Sequence, residues 1–333
     1  MTKNTVTTLE KTDIQLGYIP LLDCIAVLWA EHKGYFQQHG LNVTLVREAS
    51  WASLRDRLAF GILDAAHCLS AMLPATMIGT DQVGIPFQTS LVLSRNSTFI
   101  SLNQKLCYDV GISLQDSAQQ SAQKLAQYMQ QHPVRLAQVF GHSIHHYVLR
   151  NWLSLADATL AEQTKLWTVP PPYMVDSICN HVIDGFCVGE PWHTQGELIG
   201  KSQLVVKGQD IIPNIADKVF AVTQEWAKQH PNTLHALTSA IQQAQKDLIR
   251  LAHAEEVWQL LVDFDIIQFN CSSDTHVARY HHILNIIQNF IGEDATPQQS
   301  DFKWLIQQMS QWDHLNLSND EIETMSQRCI DDA

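Results

Sequence analysis

The 333-residue sequence is poor in positive charge. It contains 21 lysines and arginines against 34 aspartates and glutamates, which gives a formal net charge of −13. A protein that binds a nucleic-acid backbone needs a basic face to neutralise the phosphates. The composition therefore argues against direct binding to nucleic acid.

Long apolar runs are also missing. The longest one, Ile19 to Ala30, is interrupted by Asp23 and is shorter than a helix that crosses a bilayer. Residues 1–13 are polar and lack the apolar stretch of an export signal. We therefore expect no membrane span and, if Met1 is the natural start, a cytoplasmic protein.

Motifs of catalysis and cofactor binding are scarce. The seven cysteines are scattered without a Cys-x-x-Cys pair, which is typical of buried free thiols. No glycine-rich nucleotide motif follows a strand, and 141–145 (GHSIH) ends in histidine where a nucleophile elbow has glycine. His142 and His146 could share a helix face, but no further ligand accompanies them. We therefore expect no enzyme, no nucleotide cofactor and no metal site.

What the sequence does have is an alternation of strand-like and helix-like segments. Ser50 is placed to cap a helix, and Gly40 fits a left-handed turn at a helix end. The β-α-β-α-β order predicts a parallel, doubly wound sheet. The predicted strands are 14–20, 41–46, 64–69 and 87–94, and the predicted helices are 25–38, 51–58 and 71–78.

A second α/β set follows, and then a mostly helical segment. Residues 203–206 are predicted to form a strand that returns towards the first set. The fold class is therefore α/β with two lobes: lobe I comprises 14–96 and 206–333, and lobe II comprises 97–205. Ligands of such folds bind at the carboxyl ends of the strands. The other predicted elements are helices 119–131, 144–156, 173–180, 234–252 and 276–290, and strands 134–140, 166–169 and 183–188.

Five segments carry a resemblance to a known family. They are 17–23 (GYIPLLD), 49–56 (ASWASLRD), 169–175 (VPPPYMV), 185–192 (GFCVGEPW) and 218–226 (KVFAVTQEW). Together they resemble the NrtA/CmpA family of nitrate-binding proteins. The resemblance implies a two-lobed fold like that of type II periplasmic binding proteins, with the ligand in the interlobe cleft.

The resemblance also implies a set of ligand residues. Lys218 matches the family's ligand lysine, whereas the bicarbonate-binding branch has glutamate there and recruits calcium, so nitrate or nitrite is the expected ligand. An ammonium 4 Å from a monoanion contributes about 4 kcal/mol at an effective dielectric of about 20, so we expect a lone ammonium to select the ion. The implied nitrate ligands are Trp51, Ser53, Thr98, His145, Pro171 and Lys218.

Without an export signal, the sequence is most similar to NasS-type nitrate/nitrite sensors. That similarity implies a NasT-like RNA-binding antiterminator as partner, which the sensor releases on binding nitrate and which controls nitrate-assimilation genes. One alternative is the substrate-binding protein of a nitrate/nitrite ABC transporter. Another is an enzyme on the same fold, such as a thiamine-pyrimidine synthase-like protein, although its cysteine-rich metal motif is not found in the sequence.

Overall fold

The computed structural model describes residues 8–269, 277–290 and 294–331. Its strands form two five-stranded sheets. The strands are β1 (Asp13–Tyr18), β2 (Asn42–Arg47), β3 (Ala65–Leu69), β4 (Phe87–Arg95), β5 (Thr98–Asn103), β6 (Leu136–Gln138), β7 (Leu166–Thr168), β8 (Gly185–Gly189), β9 (Ser202–Lys207) and β10 (Ala216–Thr223).

Helices cover both sheets and form most of the chain after β10. They are α1 (Ile25–His32), α2 (Tyr35–Gln38), α3 (Trp51–Ala59), α4 (Met72–Ile78), α5 (Gln104–Val110), α6 (Ala118–Met129), α7 (Ile144–Ser154), α8 (Ala158–Gln163), α9 (Met174–Cys179), α10 (Trp192–Leu198), α11 (Gln224–Gln229), α12 (Pro231–Arg250), α13 (Ala254–Asp263), α14 (Val277–Asn289), α15 (Gln299–Trp312) and α16 (Asn319–Arg328). In the described ranges, no helix combines the length and the apolar character that a bilayer span requires.

The first sheet has the order β2-β1-β3-β10-β4. Strands β1, β2 and β3 are parallel, as predicted, but β10 lies antiparallel between β3 and β4. The four predicted strands, which correspond to β1, β2, β3 and β4, therefore all run parallel as expected, and β10, which was not predicted, is the one antiparallel strand of this sheet. The chain reaches β10 from the second sheet and enters the first sheet from the opposite end, which reverses the direction of this strand.

The second sheet has the order β7-β6-β8-β5-β9. Residues 203–206, predicted to return to the first sheet, belong to β9 and pair with β5 instead. The return occurs later, through residues 208–215. This segment lies beside the outward crossing at Asn96, whose backbone N–H donates to the Ile215 carbonyl over 2.9 Å. The two sheets are thus joined by two adjacent crossovers.

Local sequence signals explain several element ends. Gly34 has a φ of +69° and divides the predicted helix 25–38 into α1 and α2, because the left-handed backbone conformation interrupts a helix. Gly40 has a φ of +78°, as expected for its turn. The Ser50 hydroxyl accepts from the Ser53 backbone N–H over 3.2 Å, which confirms the predicted cap of α3.

Two apolar clusters hold the molecule together. One packs α1, α12, α13 and α14 on the first sheet. The other contains side chains from both sheets, among them Cys68 and Val219 from the first and Ile100 and Val188 from the second. The sheets therefore share buried apolar contacts between them. Predicted helix 234–252 corresponds to α12, and 276–290 to α14, with residue 276 outside the described ranges.

Candidate functional site

The candidate site lies where the carboxyl ends of the strands in both sheets meet. On the first sheet, β1 leads into a short 3₁₀ helix that contains Asp23, and β2 leads to α3, which begins at Trp51. On the second sheet, β6 leads to α7, whose second residue is His145. The open ends of helices point free backbone amides towards such a position.

Lys218 is the centre of this cluster, and its side chain is fully buried. The pairing register of β10 with β4 shifts on both sides of Lys218. Such a shift is a β-bulge, which changes the direction in which side chains point. The Nζ atom lies 2.7 Å from Oδ1 of Asp217 and 3.2 Å from Oδ2 of Asp23. It also lies 5.8 Å from the centre of the Trp51 ring.

Asp23 connects this lysine to its neighbours. Its Oδ1 lies 2.9 Å from Nε2 of His67 on β3, and its Oδ2 accepts from the Ser94 hydroxyl over 3.5 Å. The end of β8 approaches from the other side, since a Cβ on Gly189 would lie 4.0 Å from the same Oδ2. Asp23 therefore lies where the strand ends of both sheets approach the Lys218 ammonium.

Burial and neighbouring charges together determine whether Lys218, Asp23 and Asp217 are ionised. Burial lowers the pKa of Lys218, but the facing carboxylates of Asp217 and Asp23 outweigh it, so the ammonium stays charged. Burial acts against ionisation of Asp23, but Lys218 and His67 hold its pKa well below the usual value. Burial raises the pKa of Asp217 to about 6. The attraction of the Lys218 ammonium lowers this pKa, whereas the repulsion from the Asp23 carboxylate raises it.

His145 faces this charged group from α7. Burial, and then the charge of Lys218, push its pKa well below the usual value, while Asp23 acts in the opposite direction. The ring is therefore neutral and can donate one hydrogen bond. Its neighbour His146 instead contacts Gln138 and Arg150, away from the cluster.

Buried polar atoms without a hydrogen-bond partner are concentrated here. Among the described residues there are thirteen such side-chain atoms, and seven belong to this cluster. A buried polar atom without a partner costs about 1–3 kcal/mol, so such a concentration marks a place where a polar ligand binds. The seven atoms are Nε1 of Trp51, Nδ1 of His67, both ring nitrogens of His145, both carboxylate oxygens of Asp217, and Nζ of Lys218. Two of them, Oδ1 of Asp217 and Nζ of Lys218, form an ion pair with each other over 2.7 Å, so the other five are the atoms left for a ligand.

The structure thus brings Trp51, His145 and Lys218 together, but it gives three other predicted ligands different neighbours. The Ser53 hydroxyl donates to Glu48 over 2.6 Å, and the Thr98 hydroxyl donates to the Asn96 side chain over 3.1 Å. Pro171 is buried in a 3₁₀ turn before α9. Their roles as ligands stay predictions.

The expectation of a lone ammonium is wrong, because two carboxylates accompany it. Asp23, Asp217 and His67 were not predicted to belong to the site. Asp23 ends the segment 17–23, and Asp217 directly precedes Lys218. The sequence signal was therefore present, but alternation along a strand would place Asp217 and Lys218 on opposite faces, and only the bulge brings them together.

A pocket of about 230 Å³ lies beside the crossovers, away from the Lys218 cluster, and is lined by Arg95, Lys207 and Asn289 among others. Several of its polar groups already have partners. Arg95 lies 3.3 Å from Asp301, and the Asn289 amide donates to the Asn285 carbonyl over 2.7 Å. It lacks the unpartnered buried atoms of the Lys218 cluster. No three His, Cys, Asp or Glu side chains are grouped as a metal site in the part of the chain that the structure describes.

Two α/β sheets joined by two crossovers define the fold class: it is like that of the periplasmic binding proteins. Residues 7–262 match the model of the NMT1-like family, and the chain belongs to this family. A crystal structure of the periplasmic nitrate-binding protein NrtA from Synechocystis superimposes with a TM-score of 0.80. That match covers 97% of this chain and 87% of the other at 23% identity, which supports the fold.

Curated relatives share more sequence. The bicarbonate transport ATP-binding protein CmpC of Synechocystis is 31% identical across 96% of this chain and 49% of its own length. The nitrate/nitrite binding protein NrtA of Nostoc is 31% identical across 76% of this chain and 58% of its own length. The chain thus spans about half the length of these relatives. The resemblance to NrtA homologues is confirmed, whereas the similarity to NasS-type sensors stays a prediction.

Proposed function

We propose that this chain binds a small oxyanion with a single negative charge, nitrate or nitrite, between its two sheets. The observation that carries this proposal is the set of buried donors without partners around Lys218. Trp51 and His145 each offer a ring N–H, and Lys218 offers a charged ammonium. A flat anion whose oxygens accept in one plane can use all three donors.

The physical balance supports an anion of this kind. An oxyanion that leaves water must regain hydrogen bonds and positive charge inside the protein. An ammonium about 4 Å away contributes about 4 kcal/mol at an effective dielectric of about 20. The first turns of α3 and α7 add partial positive charge from their free amides. A divalent anion would bring a second negative charge into a cluster that already contains Asp23 and Asp217.

The relatives favour the same class of ligand but divide over its identity. The Nostoc relative is named for nitrate and nitrite, and the Synechocystis relative for bicarbonate transport. Lysine at position 218 supports nitrate or nitrite for this chain, because the bicarbonate-binding branch is expected to have glutamate there.

Two roles fit an anion-binding chain of this family. As a cytoplasmic sensor, it would hold a NasT-like antiterminator, and nitrate would favour the conformation that releases this partner. As the substrate-binding part of an ABC transporter, it would deliver the same anion to transporter subunits. Both roles are proposals about the partner, and both depend on the same site.

A thermal-shift series on the purified chain tests the anion. Nitrate, nitrite, bicarbonate, sulfate and chloride are added at equal ionic strength, and the melting temperature is measured. We expect nitrate and nitrite to raise it, since a ligand at one hundred times its Kd stabilises the folded state by about 2.7 kcal/mol. Equal shifts with sulfate and chloride would contradict a specific site.

A further inference from the structure

Asp217 is the least expected member of the site. Its carboxyl group is fully buried, and its ion pair with Lys218 leaves the second oxygen, Oδ2, without a hydrogen-bond partner. One oxygen lies 2.7 Å from the Lys218 ammonium, the group that an incoming anion must approach. An anion at Lys218 therefore meets the Asp217 carboxyl group at close range.

The charges of the cluster do not favour a further anion. With Lys218 positive and both Asp23 and Asp217 ionised, the cluster carries a net charge of −1. Nitrate has no hydrogen to donate, so it can only repel an ionised Asp217 carboxylate. A protonated Asp217 removes one negative charge and also offers an O–H donor to the anion.

We propose that Asp217 takes up one proton when the site binds nitrate, so that the anion and the proton bind together. This inference rests on the proposed function. The proton comes from solvent or buffer and forms an O–H bond on the Asp217 carboxyl group, while the anion stays unprotonated. No bond of the anion is made or broken.

Every titratable group that faces Asp217 is consistent with this assignment. Lys218 on β10 stays charged, and Asp23 after β1 stays ionised, because each is stabilised by the other. His67 on β3 and His145 on α7 are kept neutral by burial. The Cys187 thiol on β8 stays protonated for the same reason. Burial raises the pKa of Asp217 to about 6, which makes it a carboxyl group that can take up a proton near neutral pH.

The expected pH dependence follows from linkage. Asp217, with a pKa raised to about 6, is largely ionised at pH 8 and largely protonated at pH 5 in the free protein. Nitrate affinity should therefore fall by up to about tenfold for each pH unit above 6 and level off below it. The same anion should bind without proton uptake at pH 5.

Isothermal titration calorimetry on the native chain measures the proton directly. Nitrate is titrated at pH 7.5 in two buffers with different ionisation enthalpies, and the difference in observed heat gives the number of protons taken up. We expect close to one proton per nitrate for the native chain and for the exposed control Asp109→Asn. We expect no proton uptake when Asp217→Asn binds nitrate. This variant should bind nitrate at pH 8 as tightly as the native chain does at pH 5.

Each other outcome has a separate meaning. Nitrate binding by the native chain without proton uptake at pH 7.5 would overturn this inference and leave the proposed function intact. Proton uptake that persists in Asp217→Asn but disappears in His145→Gln would assign the proton to the histidine and overturn it as well. If nitrate and nitrite do not bind to the folded native chain at any pH, the proposed function itself fails. The native measurement decides the matter even if Asp217→Asn does not fold.

Discussion

The two sheets contribute unlike halves to the candidate site. The first sheet supplies all of its charged groups, which are Lys218, Asp217 and Asp23. The second sheet supplies the neutral ring of His145 and the start of α7. For the proposed anion, the first half thus offers a charged contact and the second half offers neutral donors.

This division has a physical reason. A charge that moves out of water needs compensation at once, because an unpaired buried ion costs several kcal/mol. On the first sheet, Lys218 and Asp23 compensate each other within one rigid unit. The residues of the second half that the structure describes contribute no such charge to the site, so its neutral histidine can be buried against the proposed anion at a smaller cost in hydration.

The largest effect is expected from Lys218→Met, which removes the positive charge of the first half and keeps an unbranched side chain. The ionised Asp23 then faces the anion without compensation, so nitrate affinity should fall at least a hundredfold, or about 3 kcal/mol. Calorimetry at pH 5 measures it, with the exposed Lys246→Met as the matched control. Affinity within a factor of three of the native value would show that the first half does not select by charge.

A smaller effect is expected from the second half. His145→Leu removes a donor to the anion and should weaken nitrate binding by about tenfold, in the range for one hydrogen bond to a charged group. Because both ring nitrogens of His145 lack partners, this change should not lower the melting temperature of the free protein.

The neighbouring His146→Leu is the matched control on the same helix. It removes the contact of His146 with Gln138, so it should lower the melting temperature and largely preserve nitrate affinity. If instead His146→Leu abolishes binding and His145→Leu does not, the donor of the second half has been assigned to the wrong histidine.

The same comparison shows what a sequence can and cannot predict. Trp51 could be placed from its position after Ser50, a local signal that the structure confirms as a helix cap. The assignment of Trp51, Lys218 and His145 to the site came from the family resemblance. Asp217 could not be assigned, because its contact with Lys218 depends on a bulge in β10. That strand inserts antiparallel between partners more than 120 residues earlier, a pairing that no local pattern specifies.

Contacts between the two halves provide the last prediction, for which the smallest change in nitrate affinity is expected. His282 on α14, which packs with α12 on the first sheet, lies 3.1 Å from the buried Glu190 after β8 of the second sheet. Two further bonds cross nearby: the Leu22 N–H donates to the Glu190 carbonyl over 2.9 Å, and the Trp192 ring N–H donates to Pro20 over 3.1 Å.

His282→Ala should weaken nitrate binding by about threefold, because it removes one of several contacts that hold the two halves together beside the site and so lowers the fraction of molecules able to bind. The effect stays small because Thr194 still donates to Glu190 through its backbone and its hydroxyl. The adjacent, exposed His281→Ala is the control and should leave the affinity unchanged. If the two variants bind nitrate equally well, the contact between α14 and the second sheet does not contribute to anion binding.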